Sequence, residues 1–226
     1  MSNLIQIDSK KNKETTAGQA RELIGRFSQP SKMPCFSWSI SADLCITGQK
    51  LAMIADSVCA DCYARKGAYN WPSTVNAMER REEKLHDRKN FVDNFVLALK
   101  KQTHFRWFDS GDIQSAEMLE DIVEIARRTP TVKHWLPSKE VKIVADYLAS
   151  GKEFPANLSV RLSAYMIDRT TASTVTGINS LVFNPEKFNA RKEDVFYCQA
   201  PSQNGECKDC RACWSQDVKT VAYLRH

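Results

Sequence analysis

The sequence predicts an α/β protein with parallel strands, either a partial βα barrel or an open parallel sheet, followed by a cysteine-rich C-terminal extension. Three observations lead there. Short apolar segments alternate with helix-period segments between about residues 35 and 183, and that alternation implies parallel pairing through crossover helices. The 226 residues are 42% hydrophobic, enough for a substantial core. All eight cysteines fall into two sets near the ends of the chain, Cys35, Cys45, Cys59 and Cys62, then Cys198, Cys207, Cys210 and Cys213.

Taken in order, residues 1–19 read as a flexible polar segment, 20–190 as the α/β core with a first cysteine loop over 35–62, and 191–226 as the cysteine-rich segment. A short helix is expected over 20–27, before Pro30, and a strand over 35–40, where apolar and small polar residues alternate. Ser73 can cap a helix running to about Lys89, continued or restarted over 90–101. A buried strand over 105–108 ends in the turn Asp109-Ser110-Gly111-Asp112. Ser115 suits an N-cap; Met118, Leu119, Ile122, Val123 and Ala126 line one face of the helix it starts, which Pro130 closes. The cycle repeats with a strand over 132–136, a helix capped by Ser138 and stopped by Gly151, a strand over 158–162 and a weaker one over 180–183. In parallel sheets ligands gather at the carboxyl ends of the strands. The first cysteine loop, residues 109–112, Ser138-Lys139-Glu140 and Arg161 all fall there, and the C-terminal cysteines are expected to fold back to the same rim.

Composition excludes several classes. No apolar run reaches the roughly 20 residues that span a bilayer, and the polar start of the chain lacks a secretion signal. The expectation is a cytoplasmic protein without a membrane partner, whose thiols bind metal rather than forming disulfides. The net charge of +5 is spread along the chain, with Arg80, Arg81, Lys84, Arg88 and Lys89 read as a solvated helix face. Nucleic acid is a weakly supported partner. No Walker loop, Rossmann glycine pattern or serine-nucleophile elbow is present.

The C-terminal set reads C-x8-C-x2-C-x2-C. Structural zinc sites pair two C-x2-C knuckles across a longer loop, whereas three cysteines at consecutive short spacings suit a 4Fe–4S cluster with Cys198 as fourth ligand. Zinc stands as the alternative metal. In the first set, Cys59 and Cys62 form a C-x2-C with Cys45 as third ligand. Cys35 is either a fourth ligand or a small buried strand residue. Three ligands leave one iron open; four close it. Among the remaining residues, Asp109 and Asp112 read as turn formers or ligand groups. Lys139 and Glu140 read as an ordinary helix-start pair, and His104 and His134 as structural histidines. Arg161, in an otherwise apolar strand, needs a partner such as Asp112 or a bound carboxylate.

Several motifs occur in a shared order: Cys35-Phe-Ser-Trp-Ser-Ile, Ser57-Val-Cys59-Ala-Asp-Cys62-Tyr-Ala-Arg-Lys-Gly-Ala-Tyr69, Phe105-Arg-Trp-Phe-Asp-Ser-Gly-Asp112, His134-Trp-Leu-Pro-Ser-Lys-Glu140 and the C-terminal block. Over roughly residues 20 to 226 the chain resembles the phage "gene product eighty-eight" family, which implies a phage or prophage origin. More distantly it is similar to the radical S-adenosylmethionine (SAM) superfamily. That resemblance implies a partial barrel and an open 4Fe–4S cluster on Cys45, Cys59 and Cys62. It also implies that Ser110, Gly111 and Asp112 are cofactor-binding and that an auxiliary C-terminal cluster is present; Arg161, singled out from its strand, is grouped with these cofactor-binding residues. The spacing here is C-x13-C-x2-C rather than the superfamily's C-x3-C-x2-C. The expected function is therefore that of a phage-type iron–sulfur protein with one or two 4Fe–4S clusters. It would act in electron transfer, redox sensing or binding of a host or phage factor, with an electron donor if redox-active. A radical SAM enzyme is the alternative, and a zinc-containing nucleic-acid binder the third.

Overall fold

The computed structural model of the protein describes residues 15–169, 175–186 and 195–225. Its strands are β1 Phe36–Trp38, β2 His104–Trp107, β3 Lys133–Ser138, β4 Leu158–Ser163, β5 Asn179–Phe183, β6 Phe196–Tyr197 and β7 Thr220–Leu224. They form one sheet in the order β1-β2-β3-β4-β5-β7-β6, with every neighbouring pair parallel. β1 to β5 lie side by side in chain order, and the sheet stays open, with β1 and β6 at its edges. Of the two architectures expected, the open parallel sheet is the one observed.

The helices are α1 Ala17–Leu23, α2 Ile46–Ala52, α3 Pro72–Lys84, α4 Arg88–Leu99, α5 Ala116–Arg128 and α6 Val141–Ala149. Local chemistry explains their limits. Thr16 and Gln19 make a reciprocal capping box at α1, so the chain is already organised within the segment expected to be flexible; residues 1–14 lie outside the described residues. Pro72 occupies the first turn of α3 behind Trp71, displacing the expected start at Ser73. Ser115 accepts the Met118 N–H at α5, whose Met118, Leu119, Ile122, Val123, Ile125 and Ala126 are all buried. Gly151, at φ +79°, takes the left-handed turn that ends α6.

The two faces of the sheet differ. Because side chains alternate along a strand, Trp38, Phe105, Trp107, Leu136, Val160 and Leu162 point into one core with Phe91, Phe95, Leu119 and Ile122 from α4 and α5. Trp107 stacks on Phe95 at 4.7 Å. His134 is buried in the same layer as expected, accepting from Trp107 Nε1 (3.3 Å) and meeting Thr129 Oγ1 (2.9 Å). Arg106, Trp135, Ser159 and Arg161 alternate with these core residues, and the C-terminal segment covers their face. Trp214 Nε1 donates to the Phe105 carbonyl (2.8 Å), and Ser159 Oγ to the Trp214 carbonyl (2.7 Å).

Two expectations need correction. The cysteine-rich segment is not an extension appended to the sheet: β6 and β7 belong to it, and β7 pairs with β5 along all five residues. Arg81 does not lie on a solvated helix face. It is buried, donating to the carbonyls of Arg26 (2.9 Å) and Ser39 (3.2 Å), and burial lowers its pKa to about 10. Among the described residues no helix is long and apolar enough to cross a membrane.

Candidate metal centres

The eight thiols are free and divide three and five rather than four and four. The smaller group lies at the carboxyl rim, in the loop after β1. Cys45 is the N-cap of α2, and the next turn is held by Glu140, whose carboxylate accepts from Thr47 N (2.8 Å) and Thr47 Oγ1 (2.7 Å). Ser57 pins the following loop by donating to the Leu51 carbonyl (2.5 Å) and accepting from Ala60 N (3.0 Å); Val58 N reaches the Tyr165 carbonyl (2.8 Å). The sulfurs of Cys45 and Cys59 both lie within 4 Å of the point where a Cβ on Gly48 would sit. Glycine therefore leaves the space into which the thiols converge. Cys45, Cys59, Cys62, Asp112 and Lys139 stand within electrostatic reach of one another.

Burial shapes the chemistry of this rim. It pushes the Cys45 thiol up to about 12, with Asp112 adding to the effect, so the metal-free thiol is protonated at neutral pH. A bound cation would reverse that preference, because coordination demands thiolate. Asp112 itself is pushed by burial up to about 6, although it accepts from Lys139 N (2.8 Å), Ser138 Oγ (2.7 Å) and Ile113 N (2.8 Å). Burial works to lower the pKa of Lys139, but Cys59 and Asp112 outweigh it and hold the ammonium charged.

The turn Ser110-Gly111-Asp112 sits at the end of β2, as expected. Gly111 (φ +83°) admits no side chain, since a Cβ would lie 2.9 Å from the Ile40 carbonyl oxygen. Ser110 Oγ is buried without a partner. Asp109 is engaged in a network with Ser37, Ser39 and Tyr69, whose hydroxyl reaches it at 3.0 Å.

The larger group is Cys35, Cys198, Cys207, Cys210 and Cys213. Cys35 and Cys207 influence each other, Cys207 feels Cys198 and Cys210, and Cys213 feels Cys198. The segments meet directly where Cys207 N donates to the Lys32 carbonyl (3.0 Å). Cys35 thus leaves the set with which the sequence grouped it. The reason is the strand between: three extended residues span about 10 Å, so the residue before β1 and the loop after it lie at opposite ends. The larger group is not confined to the carboxyl rim: Cys198 follows the end of β6, whereas Cys35 precedes β1. Trp214, next to Cys213, packs on His104 and Trp135 at the amino ends of β2 and β3. Burial raises Cys35 to about 12 and Cys213 to about 11, the latter meeting Tyr223 Oη at 3.1 Å.

Two arginines, Arg161 buried and Arg106 half-buried, lie beside this second group. Arg161 is not free to meet Asp112 or a ligand carboxylate: its Nη1 donates to the carbonyls of Asn179 (2.8 Å) and Lys219 (3.3 Å), and its Nη2 to those of Ala212 (3.4 Å), Ser215 (2.9 Å) and Val218 (3.0 Å). It fastens the chain around Cys213 to β4. Arg106, missed in the sequence, stands between the groups. Its Nη2 donates to Tyr63 Oη (3.3 Å), beside Cys62, and its Nη1 contacts Met33 Sδ (3.1 Å), two residues before Cys35. The guanidinium lies 4.6 Å from the Trp135 ring and within reach of Cys35, Cys207 and Cys213. Its signal was available, since Arg106 interrupts the apolar β2 as Arg161 interrupts β4. Lys139 and Glu140, read as an ordinary helix start, also belong to the rim.

Among the described residues no three His, Cys, Asp or Glu side chains converge closely enough for a single metal ion. A tetrahedral ion with bonds of about 2.3 Å draws its sulfurs to within about 3.8 Å of one another, whereas cubane ligands sit on separate irons and stand further apart. The family model described as gene product 88 matches residues 3–216. No curated protein and no solved structure matches the chain. The chain belongs to the gene product 88 family.

Proposed function

We propose that the protein is an iron–sulfur protein with two 4Fe–4S centres, and that the rim centre on Cys45, Cys59 and Cys62 is an open cluster of the radical SAM type. The observation that carries this reading is the grouping of Cys35 with the C-terminal thiols. Three thiols remain at the rim, and a cubane held by three thiolates keeps one iron for another ligand. When bound and reduced, such a cluster supplies reductive cleavage of the SAM sulfonium and hydrogen abstraction from a substrate.

The chain's own part is binding and positioning. Glu140 holds the first turn of α2 and so orients Cys45. Gly48 clears the space between the thiols. Lys139 offsets thiolate charge, which matters in a buried site. The Ser110 hydroxyl, buried and unpartnered, is the free polar group of the turn suited to the cofactor's amino end, whereas Asp112 is already occupied. The in-order winding of β1 to β5 is a feature that an open sheet shares with that superfamily's partial barrel. A cleft of about 660 Å³ beside the loop, lined in part by Asp43, Arg65, Tyr69, Asn70, Glu79 and Glu82, suits a polar substrate.

The test is anaerobic reconstitution of the full chain with ferrous iron and sulfide, followed by dithionite and SAM. Release of 5′-deoxyadenosine, lost in Cys59→Ala, is the expected result. A second reading, electron transfer or redox sensing with a host or phage partner, is favoured by the five-thiol group, which has thiols enough to close a cluster. Iron at both groups without deoxyadenosine would select that reading. A colourless protein with stoichiometric zinc and salt-dependent binding to nucleic acid would overturn both.

A further inference from the structure

Three buried N–H groups on the face covered by the C-terminal segment have no acceptor among the described residues: Arg106 Nε, Trp135 Nε1 and Arg161 Nε. They come from three adjacent strands, β2, β3 and β4. Leaving a buried donor unpaired is costly, so three on one face call for an acceptor that the described side chains and backbone do not provide. What lies against this face is the five-thiol group. Arg106 is felt by Cys35, Cys207 and Cys213, and Arg161 by Cys213. Trp135 is held between the Arg106 guanidinium at 4.6 Å and the Trp214 ring at 5.2 Å, directly beside Cys213. The donors are cationic or aromatic N–H groups, and the thiols beside them become anionic only with a metal. The chemistry that fits both is an anionic cluster with sulfur acceptors.

We infer that Arg106, Trp135 and Arg161 form the donor lining of the five-thiol centre: their N–H groups hydrogen-bond to the sulfurs of the cluster held there and raise its reduction potential above that of the rim centre. This rests on the iron–sulfur reading for the cluster itself, but not on any enzymatic activity. Hydrogen bonds to sulfur and nearby positive charge stabilise the reduced, more negative state. The rim is less biased: Lys139 and Arg65 are opposed there by the Asp112 carboxylate, and no unpartnered buried N–H faces it among the described residues. The five-thiol centre therefore takes up the first electron. Arg106 also touches Tyr63, next to the rim ligand Cys62, and so links the surroundings of the two centres.

The test is a dithionite titration of the iron- and sulfide-reconstituted full chain, followed by electron paramagnetic resonance. Each centre accepts one electron, dithionite is oxidised to sulfite, and no bond to the protein is made or broken. Trp135→Phe keeps the ring between Arg106 and Trp214 but removes one N–H. It should shift the oxidised-to-reduced ratio of the five-thiol centre about tenfold towards oxidised, about 59 mV for one electron, and leave the rim centre unchanged. Arg106→Met removes a charge as well and should shift the same centre further. Unchanged potentials in both variants, or a shift confined to the rim centre, would overturn the inference while leaving the two-cluster reading intact. Should Arg106→Met fail to fold, Trp135→Phe decides alone. Failure of the wild-type chain to bind iron would instead remove the function proposed above, and this inference with it.

Discussion

The two thiol groups are built by opposite means. The rim group is local: Cys45, Cys59 and Cys62 come from one loop, shaped by the N-terminus of α2, a glycine at position 48 and the short turns around Ser57. The second group is assembled from distant chain. Cys35 meets Cys207 across the face of the sheet, and Arg161 secures the block by five carbonyl contacts. The first group draws its thiols from one loop, braced by Glu140 and Tyr165, whereas the second draws its thiols from both ends of the chain. The groups should therefore fail separately, and each can be broken without the other.

The largest effect is expected from Arg161→Ala. It leaves up to five carbonyls without their donor and removes a buried side chain, which should cost about 3–5 kcal/mol in urea unfolding. Iron at the C-terminal block should go with it, while iron at the rim persists. Loss of both centres together would show that the groups are not independent.

Gly48→Ala tests the other side. Alanine in a helix ordinarily gains up to about 1 kcal/mol over glycine. Here the new Cβ would stand 2.8 Å from the Cys45 Cβ, so the sign should reverse, to a loss of about 1–3 kcal/mol. Iron counting should show the rim centre depleted and the five-thiol centre retained.

His134 lies in the helix-covered core and touches neither group, so it serves as a pH reference. Burial lowers its pKa from 6.5 to about 3. The unfolded chain therefore binds a proton that the folded one refuses: the stability is fully present above pH 6.5 and is lost as the pH falls towards 3. The expected slope is about 1.4 kcal/mol per pH unit below 6.5. His134→Gln should remove it, as read from urea midpoints at a series of pH values, with the metal content of both groups unchanged.

Cys35→Ser should cost the least stability, about 1 kcal/mol or less, yet it bears most directly on the division of the thiols. Depletion of the C-terminal centre with an intact rim would sharpen the comparison. Depletion at the rim would return Cys35 to the first set and close the open iron.

Much of the fold was legible because it depends on neighbours in sequence. The buried face of α5, its Ser115 cap, the Gly151 stop and the strands up to β5 are all read from short-range pattern. β6 and β7 were not, because two residues of β6 carry no periodicity and β7 is recognisable only by its pairing with β5. The same limit applies at the sites. Cys45, Cys59 and Cys62 are visible as one loop, but Arg106 looks like any strand arginine until its face is known. Lys139 looks like a helix-start residue until the first cysteine loop packs beside it.

By itself, then, the sequence determined the α/β alternation, the helix boundaries set by Ser115 and Gly151, and the thiol spacing within each loop. All of these follow from covalent neighbours and backbone preference. Only the tertiary structure decided which thiols share a site, which strand face the C-terminal block covers and which arginines lie beneath it. Such contacts depend on strand order and burial, which bring together residues more than 150 positions apart, as Cys35 and Cys207 are.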